Sequence, residues 1–243
     1  MSDNVTLSII IPAYKEEANI SSTLVSVSEY LGKKDLSCEV IVVDDGSTDS
    51  TVSKALDFRG KLPNFRVIES KPNMGKGYVL KRAMLEAEGE WLMFMDADSS
   101  VLVSELDNFL PALTEDYDIY IASRRIPGAD VDMPLKRELF GKIYIALARI
   151  VLGLKVSDIN CGFKMFSRRA ARDAFSRQTM NDWSYDAEVL HIANKSGYKI
   201  KEIPVKWVYK DTSKVSPLRD GIKSFWSLLR IKSNELSGKY RRS

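Results

Sequence analysis

Two carboxylates one residue apart, Asp96 and Asp98, close the apolar run Trp91-Leu92-Met93-Phe94-Met95. A short apolar run of this length reads as a buried strand. Ending such a strand in two acids calls for positive charge at the spot, because unpaired buried charge is expensive. Alternation along an extended chain points Asp96 and Asp98 the same way, with the small Ala97 between them. Hard oxygen ligands in this arrangement suit Mg²⁺ or Mn²⁺, which bind through one or two carboxylates plus substrate phosphates. The alternative is a strand-to-loop turn in which Asp98 caps the next helix. Three more sets of residues have chemical potential: Pro12-Ala13-Tyr14 with Glu16, the pair Asp44-Asp45, and the loop Asn73-Met74-Gly75-Lys76-Gly77. Each follows an apolar segment, and in open α/β sheets ligands bind beyond the carboxyl ends of the strands. Gly75-Lys76-Gly77 opens a predicted helix, where backbone N–H groups and a lysine can meet a phosphate. It has neither the Walker A nor the dinucleotide-fingerprint spacing.

The elements that must position these residues follow from periodicity. Strands are predicted over Leu7–Pro12, Glu39–Asp44, Phe65–Glu69, Trp91–Asp96 and Asp118–Ser123. Between them lie helical patterns, the first carrying Ile20, Leu24, Val27 and Leu31. Ser47 or Thr48 supplies an N-cap for the second helix. Strands alternating with helices predict βαβ units and a mostly parallel sheet flanked by helices. Past residue 123 a Pro/Gly-bearing loop leads into an amphipathic helix over 135–152. Beyond it come a helix around Tyr185–Lys195, a strand over Ile200–Tyr209 and a last helix from Pro217.

The chain has 243 residues, 44% hydrophobic and 28% charged, as expected of an α/β domain with a sizeable core. The opening residues carry no basic n-region or cleavage site, so no signal peptide is expected. No stretch reaches the roughly 18 consecutive apolar residues of a spanning helix; Leu139–Leu154 is interrupted by Lys142 and Arg149. Cys38 and Cys161 lie far apart, in keeping with reduced thiols. Net charge is +3 but uneven: residues 214–243 carry eight Lys/Arg against two Asp/Glu, leaving 28 against 31 elsewhere. A basic tail on a mildly acidic body points to an anionic surface as partner.

PAYKEE at 12–17, VVDDGSTDST at 42–51, NMGKG at 73–77 and DAD at 96–98 together resemble family 2 glycosyltransferases of the GT-A fold. In the second half, SRRIPGAD at 123–130, DINCGFKMF at 158–166, WSYDAEVL at 183–190 and EIPVKWVYKDTSKV at 202–215 resemble dolichyl-phosphate β-glucosyltransferases. Dolichyl-phosphate mannose synthases are less similar. The resemblance implies that Pro12, Ala13, Tyr14 and Glu16 border the nucleotide base and that Asp44 and Asp45 contact base or ribose. Lys76 and Ala97 lie near the nucleotide, and Asp96 and Asp98 hold the diphosphate through Mg²⁺ or Mn²⁺. Arg124, with Arg125 and Arg137, holds the acceptor phosphate, and Lys214 helps neutralise it. A guanidinium fork matches phosphate oxygens, which suits Ser123-Arg124-Arg125. Mannose synthases often carry Gln two residues after the second Asp; Ser100 stands there in this chain. Asp158 and Asp186 are the candidates for a base or an orienting carboxylate, and Trp183 and Tyr185 for an aromatic wall against a sugar. Each acid has a structural alternative as a cap or an ion-pair partner. The single histidine, His191, is expected to be structural.

These readings divide the chain into a GT-A domain over 1–216 and a basic amphipathic helix and tail over 217–243. The domain comprises a nucleotide-sugar half, 1–125, and an acceptor half, 126–216. The expected partners are a nucleotide sugar, UDP-glucose first and GDP-mannose second, and a polyprenyl phosphate. Leu218, Ile222, Phe225, Trp226 and Leu229 form one face of the last helix, either a membrane-interface face or a docking face. The expected location is the cytoplasmic face of a membrane, bound peripherally. Transfer to a soluble or polysaccharide acceptor, and nucleotide-sugar binding without catalysis, are the competing readings. No recognition motif accompanies the basic tail, so nucleic acid is not expected as a partner.

Overall fold

The computed structural model describes residues 6–133, 135–208 and 217–241, with side chains omitted at 135–137 and 217–222. Seven strands form one sheet in the order β3-β2-β1-β4-β7-β5-β8. They are β1 (Leu7–Ala13), β2 (Cys38–Asp44), β3 (Arg66–Glu69), β4 (Trp91–Met95), β5 (Ile119–Ser123), β7 (Phe163–Ser167) and β8 (Ile200–Pro204). Every pairing is parallel except those of β7, which runs antiparallel to β4 and β5. One edge of the sheet therefore gathers the carboxyl ends of the parallel strands and the amino end of β7. The lateral register there sets Ala13 beside Asp44 and Ser123 beside Pro204. A second, two-stranded sheet joins β6 (Asp130–Val131) to β9 (Lys206–Trp207).

Both faces of the large sheet are covered, so its strands are apolar throughout and alternation divides them between two cores. Ile10, Ile41, Phe94 and Ile121 face α3 (Lys76–Glu86), α6 (Arg168–Arg177) and α7 (Tyr185–Lys195). Ile9, Val42, Met93 and Tyr120 face α1 (Ile20–Leu31), α2 (Thr51–Leu56) and the segment around Leu106 and Phe109. The predicted helical set Ile20, Leu24, Val27 and Leu31 is buried as expected. α5 (Leu135–Leu152) packs against α8 (Pro217–Leu236).

Several elements differ from expectation. The second helix starts at Thr51, and the carboxylate of Asp49 accepts the Thr51 N–H; Ser47 Oγ instead accepts the Lys15 N–H at 2.9 Å. Ser47 and Thr48 are therefore not its N-cap. β7 and α6 were not foreseen as elements. β7 carries Lys164 inside its apolar pattern, and α6 buries Ala170, Ala171, Ala174 and Phe175 along one face. The strand expected over Ile200–Tyr209 is split into β8 and β9 next to Pro204, which has no N–H to continue a ladder.

α8 belongs to the same core. Leu228 and Ile231 are fully buried, and the segment following the helix is fixed by polar bonds. Glu188 of α7 is buried and accepts from Tyr240 Oη and Thr179 Oγ1 at 2.6 Å each, and from the Thr179 and Met180 N–H groups. Tyr240→Phe keeps the ring but removes one donor to a buried carboxylate. Chemical denaturation should find this variant about 1–3 kcal/mol less stable than the wild type; an unchanged midpoint and slope would show that the tail is not anchored in this way.

Candidate active site

Asp96 follows β4 directly, and its N–H donates to the carbonyl of Gly162 at the entry to β7. Its carboxylate lies across Gly162: a Cβ on that glycine would stand 1.9 Å from Asp96 Oδ2. Only glycine leaves room for the acid here. Ala97 is buried, and its carbonyl accepts from Thr23 Oγ1 at 2.7 Å. Asp98 Oδ1 accepts the Ser100 N–H at 2.8 Å in a tight turn whose middle residue, Ser99, has a φ of +53°. The strand-to-loop turn is thus present, but Asp98 caps no helix: the next helical turn starts at Val103, after Leu102.

Lys76 reaches the same spot from the first turn of α3. Its Nζ lies 2.5 Å from Asp96 Oδ1 and 4.8 Å from the centre of the Trp183 ring. Burial works against its charge, but Asp96, Asp186 and Asp98 together hold the ammonium above the ordinary lysine range. Four N–H groups of this loop and helix start are engaged within the protein. Gly77 and Tyr78 donate to the Asn181 carbonyl, while Met74 and Gly75 donate to the carboxylate of Asp45. Asn73 Nδ2 donates to that carboxylate as well. Asp45 therefore builds the 73–77 loop. Its neighbour Asp44 is fully buried; Oδ2 accepts the Ser47 N–H, and Oδ1 has no hydrogen-bond partner. A buried acceptor of this kind is suited to a ring N–H or a ribose hydroxyl. Pro12 and Ala13 are buried at the end of β1, Tyr14 and Glu16 follow at the edge, and Glu16 Oε2 accepts from Asn19.

A second cluster adjoins the first. Arg124, at the end of β5, forms a fork with Asp158: Nε to Oδ2 at 2.7 Å and Nη2 to Oδ1 at 2.9 Å. The Arg124 N–H also donates to Asp158, and the guanidinium lies over the Trp207 ring at 5.5 Å. Burial alone would raise the Asp158 carboxyl, but Arg124 outweighs it and holds the acid below its usual range. Both Asp158 oxygens are thus engaged in orienting Arg124. Arg125 leans over α5, where a Cβ on Gly141 would stand 2.1 Å from its Nη2, and its buried Nε has no partner. The Arg137 side chain and Lys214 lie outside the described residues.

Asp186 is buried and ion-paired at 2.6 Å with Lys164, which also donates to the Cys161 carbonyl. Burial raises the Asp186 carboxyl, against the pull of Lys164 and Lys76. Lys164 is the site residue that sequence reasoning missed; its signal was a lone cation inside the apolar strand FKMFS. His191 is buried between helices, Nδ1 3.1 Å from the Leu152 carbonyl and Nε2 3.2 Å from Glu235, as the structural reading held.

Among the described residues, no group of three or more His, Cys, Asp or Glu is placed to hold a metal. Asp96 and Asp98 offer two carboxylates, with one Asp96 oxygen facing a cation, and two carboxylates would suit an ion completed by substrate oxygens.

Residues 8–175 match the family described as Glycosyl transferase family 2. Dolichyl-phosphate beta-glucosyltransferase of Dictyostelium discoideum is 32% identical, the match covering 97% of this chain and 76% of that protein. The Drosophila melanogaster enzyme of that name is 34% identical over 95% and 73%, and the Homo sapiens one 29% over 97% and 77%. Among solved structures, glucosyl-3-phosphoglycerate synthase from Mycobacterium tuberculosis, in complex with Mn²⁺, UDP-glucose and phosphoglyceric acid, superimposes with a TM-score of 0.71. Identity there is 20%, over 94% of this chain and 80% of the other, so the likeness is one of fold. The chain belongs to glycosyltransferase family 2, and its sheet is the mostly parallel α/β architecture of the GT-A class.

Removing Asp158 strands a buried guanidinium. Asp158→Ala should lose about 3–5 kcal/mol by urea denaturation at pH 7. The folded-state acid is depressed, so the pair's contribution is complete above the unfolded value of about 3.9 and is lost as pH falls through the folded value. The gap between wild type and variant should therefore persist from pH 7 to 5 and narrow only in stronger acid.

Proposed function

We propose that this chain transfers glucose from UDP-glucose to a polyprenyl phosphate of the dolichyl type. The observation that carries the reading is the match along nearly the whole chain to relatives named for that activity. The second-half segments that carry the resemblance also meet at the edge that holds Asp96: Arg124 joins Asp158, and Lys164 joins Asp186. In this reading Asp44 accepts from the base or ribose, and Asp96 and Asp98 hold Mg²⁺ or Mn²⁺. The bound ion supplies electrostatic stabilisation of the departing diphosphate. Arg124, oriented by Asp158, and Arg125, braced on α5, receive the acceptor phosphate. A phosphate monoester has a second pKa of about 6, so the attacking oxygen is already anionic near neutral pH. It displaces UDP from the anomeric carbon in a single inverting step.

A donor screen tests this directly. Purified protein with Mn²⁺ and dolichyl phosphate should move label into the organic phase from UDP-glucose and not from GDP-mannose or UDP-N-acetylhexosamine. Label from GDP-mannose alone would replace the donor. UDP release that needs only a soluble acceptor would reject the lipid.

We also propose peripheral attachment to the cytoplasmic face of a membrane through α8, with α5 beside it. Among the described residues, no helix is long and apolar enough to cross a membrane. α8 instead divides its apolar residues between two faces. Leu228 and Ile231 point inward, whereas Trp226 and Leu236 are 64% and 75% exposed. On α5, Phe140, Ile143 and Ile150 are exposed as well. Exposed Arg149, Lys223 and Arg230 supply the charge an anionic surface attracts. The wild type should sediment with anionic vesicles, and the double substitution Trp226→Ser/Leu229→Ser should lose most of that binding while keeping its melting temperature. Equal sedimentation of the two proteins would reject α8 as the attachment.

A further inference from the structure

Lys76 covers one of the Asp96 oxygens that an ion held there would use. Its base is immobile. Gly75 has a φ of +99°, a Cβ there would meet the Asn181 carbonyl oxygen at 2.3 Å, and the Gly77 and Tyr78 N–H groups are tied to that same oxygen. The backbone of the first α3 turn is therefore clamped to the segment before α7, and only the four-carbon stem of Lys76 is free to rearrange. The ammonium lies on Asp96 Oδ1, under Trp183, with the Lys76 side chain 13% exposed. Asp96 Oδ2 lies over Gly162, so the oxygen in contact with the ammonium is Oδ1. Asp98 and Asp186 add their fields to the same ammonium, so it has no weaker hold to fall back from.

We propose that Lys76 is a tethered counter-ion that makes metal loading conditional on the nucleotide. A divalent ion approaching Asp96 meets a positive charge in contact with the oxygen it needs. A nucleoside diphosphate changes that balance, because its oxygens offer the ammonium a second anionic partner within reach of the same stem. The ammonium swings from carboxylate to phosphate, the ion takes the carboxylate, and the two ligands enter as one unit. Trp183, 62% exposed above the ammonium, is the side chain free to follow it. Coupled entry of this kind keeps the edge electrically balanced. The inference rests on the reading that Asp96 and Asp98 hold the ion.

The test is Mn²⁺ binding to the full chain, read from the free-ion paramagnetic signal, with and without UDP. Wild type should bind Mn²⁺ weakly alone and about tenfold or more tightly with UDP, and by reciprocity Mn²⁺ should tighten UDP by the same factor. Lys76→Met, which keeps the length and loses the charge, should bind Mn²⁺ without UDP about tenfold more tightly than wild type. Lys76→Arg should behave as wild type. Lys15→Met, which removes a surface charge at the end of β1, should leave Mn²⁺ affinity unchanged; a comparable rise there would mark a generic charge effect and overturn the proposal. Equal Mn²⁺ affinity of wild type and Lys76→Met without UDP would overturn it too. So would a wild type that binds Mn²⁺ equally well with and without UDP, a result that needs no variant to fold. Asp98→Asn separates the two readings: full Mn²⁺ binding by that variant with UDP present would remove the metal assignment itself and leave the lysine geometry standing.

Discussion

Three acids at the inner edge of this sheet are each held beside a cation, and the site is organised by those pairs. Moving a charge from water into a protein interior costs several kcal/mol even after relaxation, and only a close, hydrogen-bonded partner offsets it. Three pairs satisfy the requirement: Lys76 with Asp96, Arg124 with Asp158, and Lys164 with Asp186. In each, the partners come from different parts of the chain. α3 is tied to the residue after β4, the end of β5 to the approach to β7, and β7 to α7. The same contacts that balance the charge therefore set where the elements end. Losing one partner strands the other, so a substitution made to probe chemistry at this edge also probes folding, and stability must be measured with it.

The antiparallel strand β7 is what makes the arrangement possible. A strand entering the sheet at this edge brings its preceding loop there as well, and that loop holds Asp158, Cys161 and Gly162. Cys161 lends its carbonyl to Lys164, Gly162 gives Asp96 room, and Asp158 fixes Arg124. A wholly parallel sheet would have placed this loop at the opposite edge. The reversal between β4 and β5 thus joins the half of the chain that resembles a nucleotide-sugar site to the half that carries the arginines.

The first half was readable because its signals are local. Apolar runs such as LSIIIP and EVIVVD have the length and composition of buried strands, and each ends in the residues that reach the edge. Asp96 and Asp98 stand out in the sequence for the same reason, as acids closing an apolar run. What sequence could not give was pairing between distant residues. Nothing in the sequence marks Asp45 as the acceptor for Asn73, Met74 and Gly75. Asp158 and Asp186 were visible as acids, but their partners lie 34 and 22 residues away along the chain. β7 was hidden because Lys164 interrupts its apolar pattern, and the lysine is there for Asp186, a reason that exists only in three dimensions. α8 shows the converse. Its apolar residues were legible as one amphipathic stripe, while the buried stripe through Leu228 and Ile231 is a different one, selected by the helices it meets.

The way these charges are used bears on the nature of the acceptor. A hydroxyl nucleophile needs a group to take its proton, within hydrogen-bond reach and with a pKa near neutrality. The only imidazole of the chain, His191, is buried among the helices and held by burial below its ordinary range. Asp158 has both oxygens engaged by Arg124, and Asp186 is committed to Lys164. An edge at which Asp96, Asp158 and Asp186 are each set against a cation is well provided with positive charge. A phosphate monoester suits such an edge, since it arrives already ionised and asks for positive charge instead of proton removal. The single inverting displacement then requires the site to align two anions, the acceptor phosphate and the departing diphosphate, across one sugar carbon. Lys76, at the start of α3, and Arg124, after β5, both lie in the field of Asp96 and suit that task.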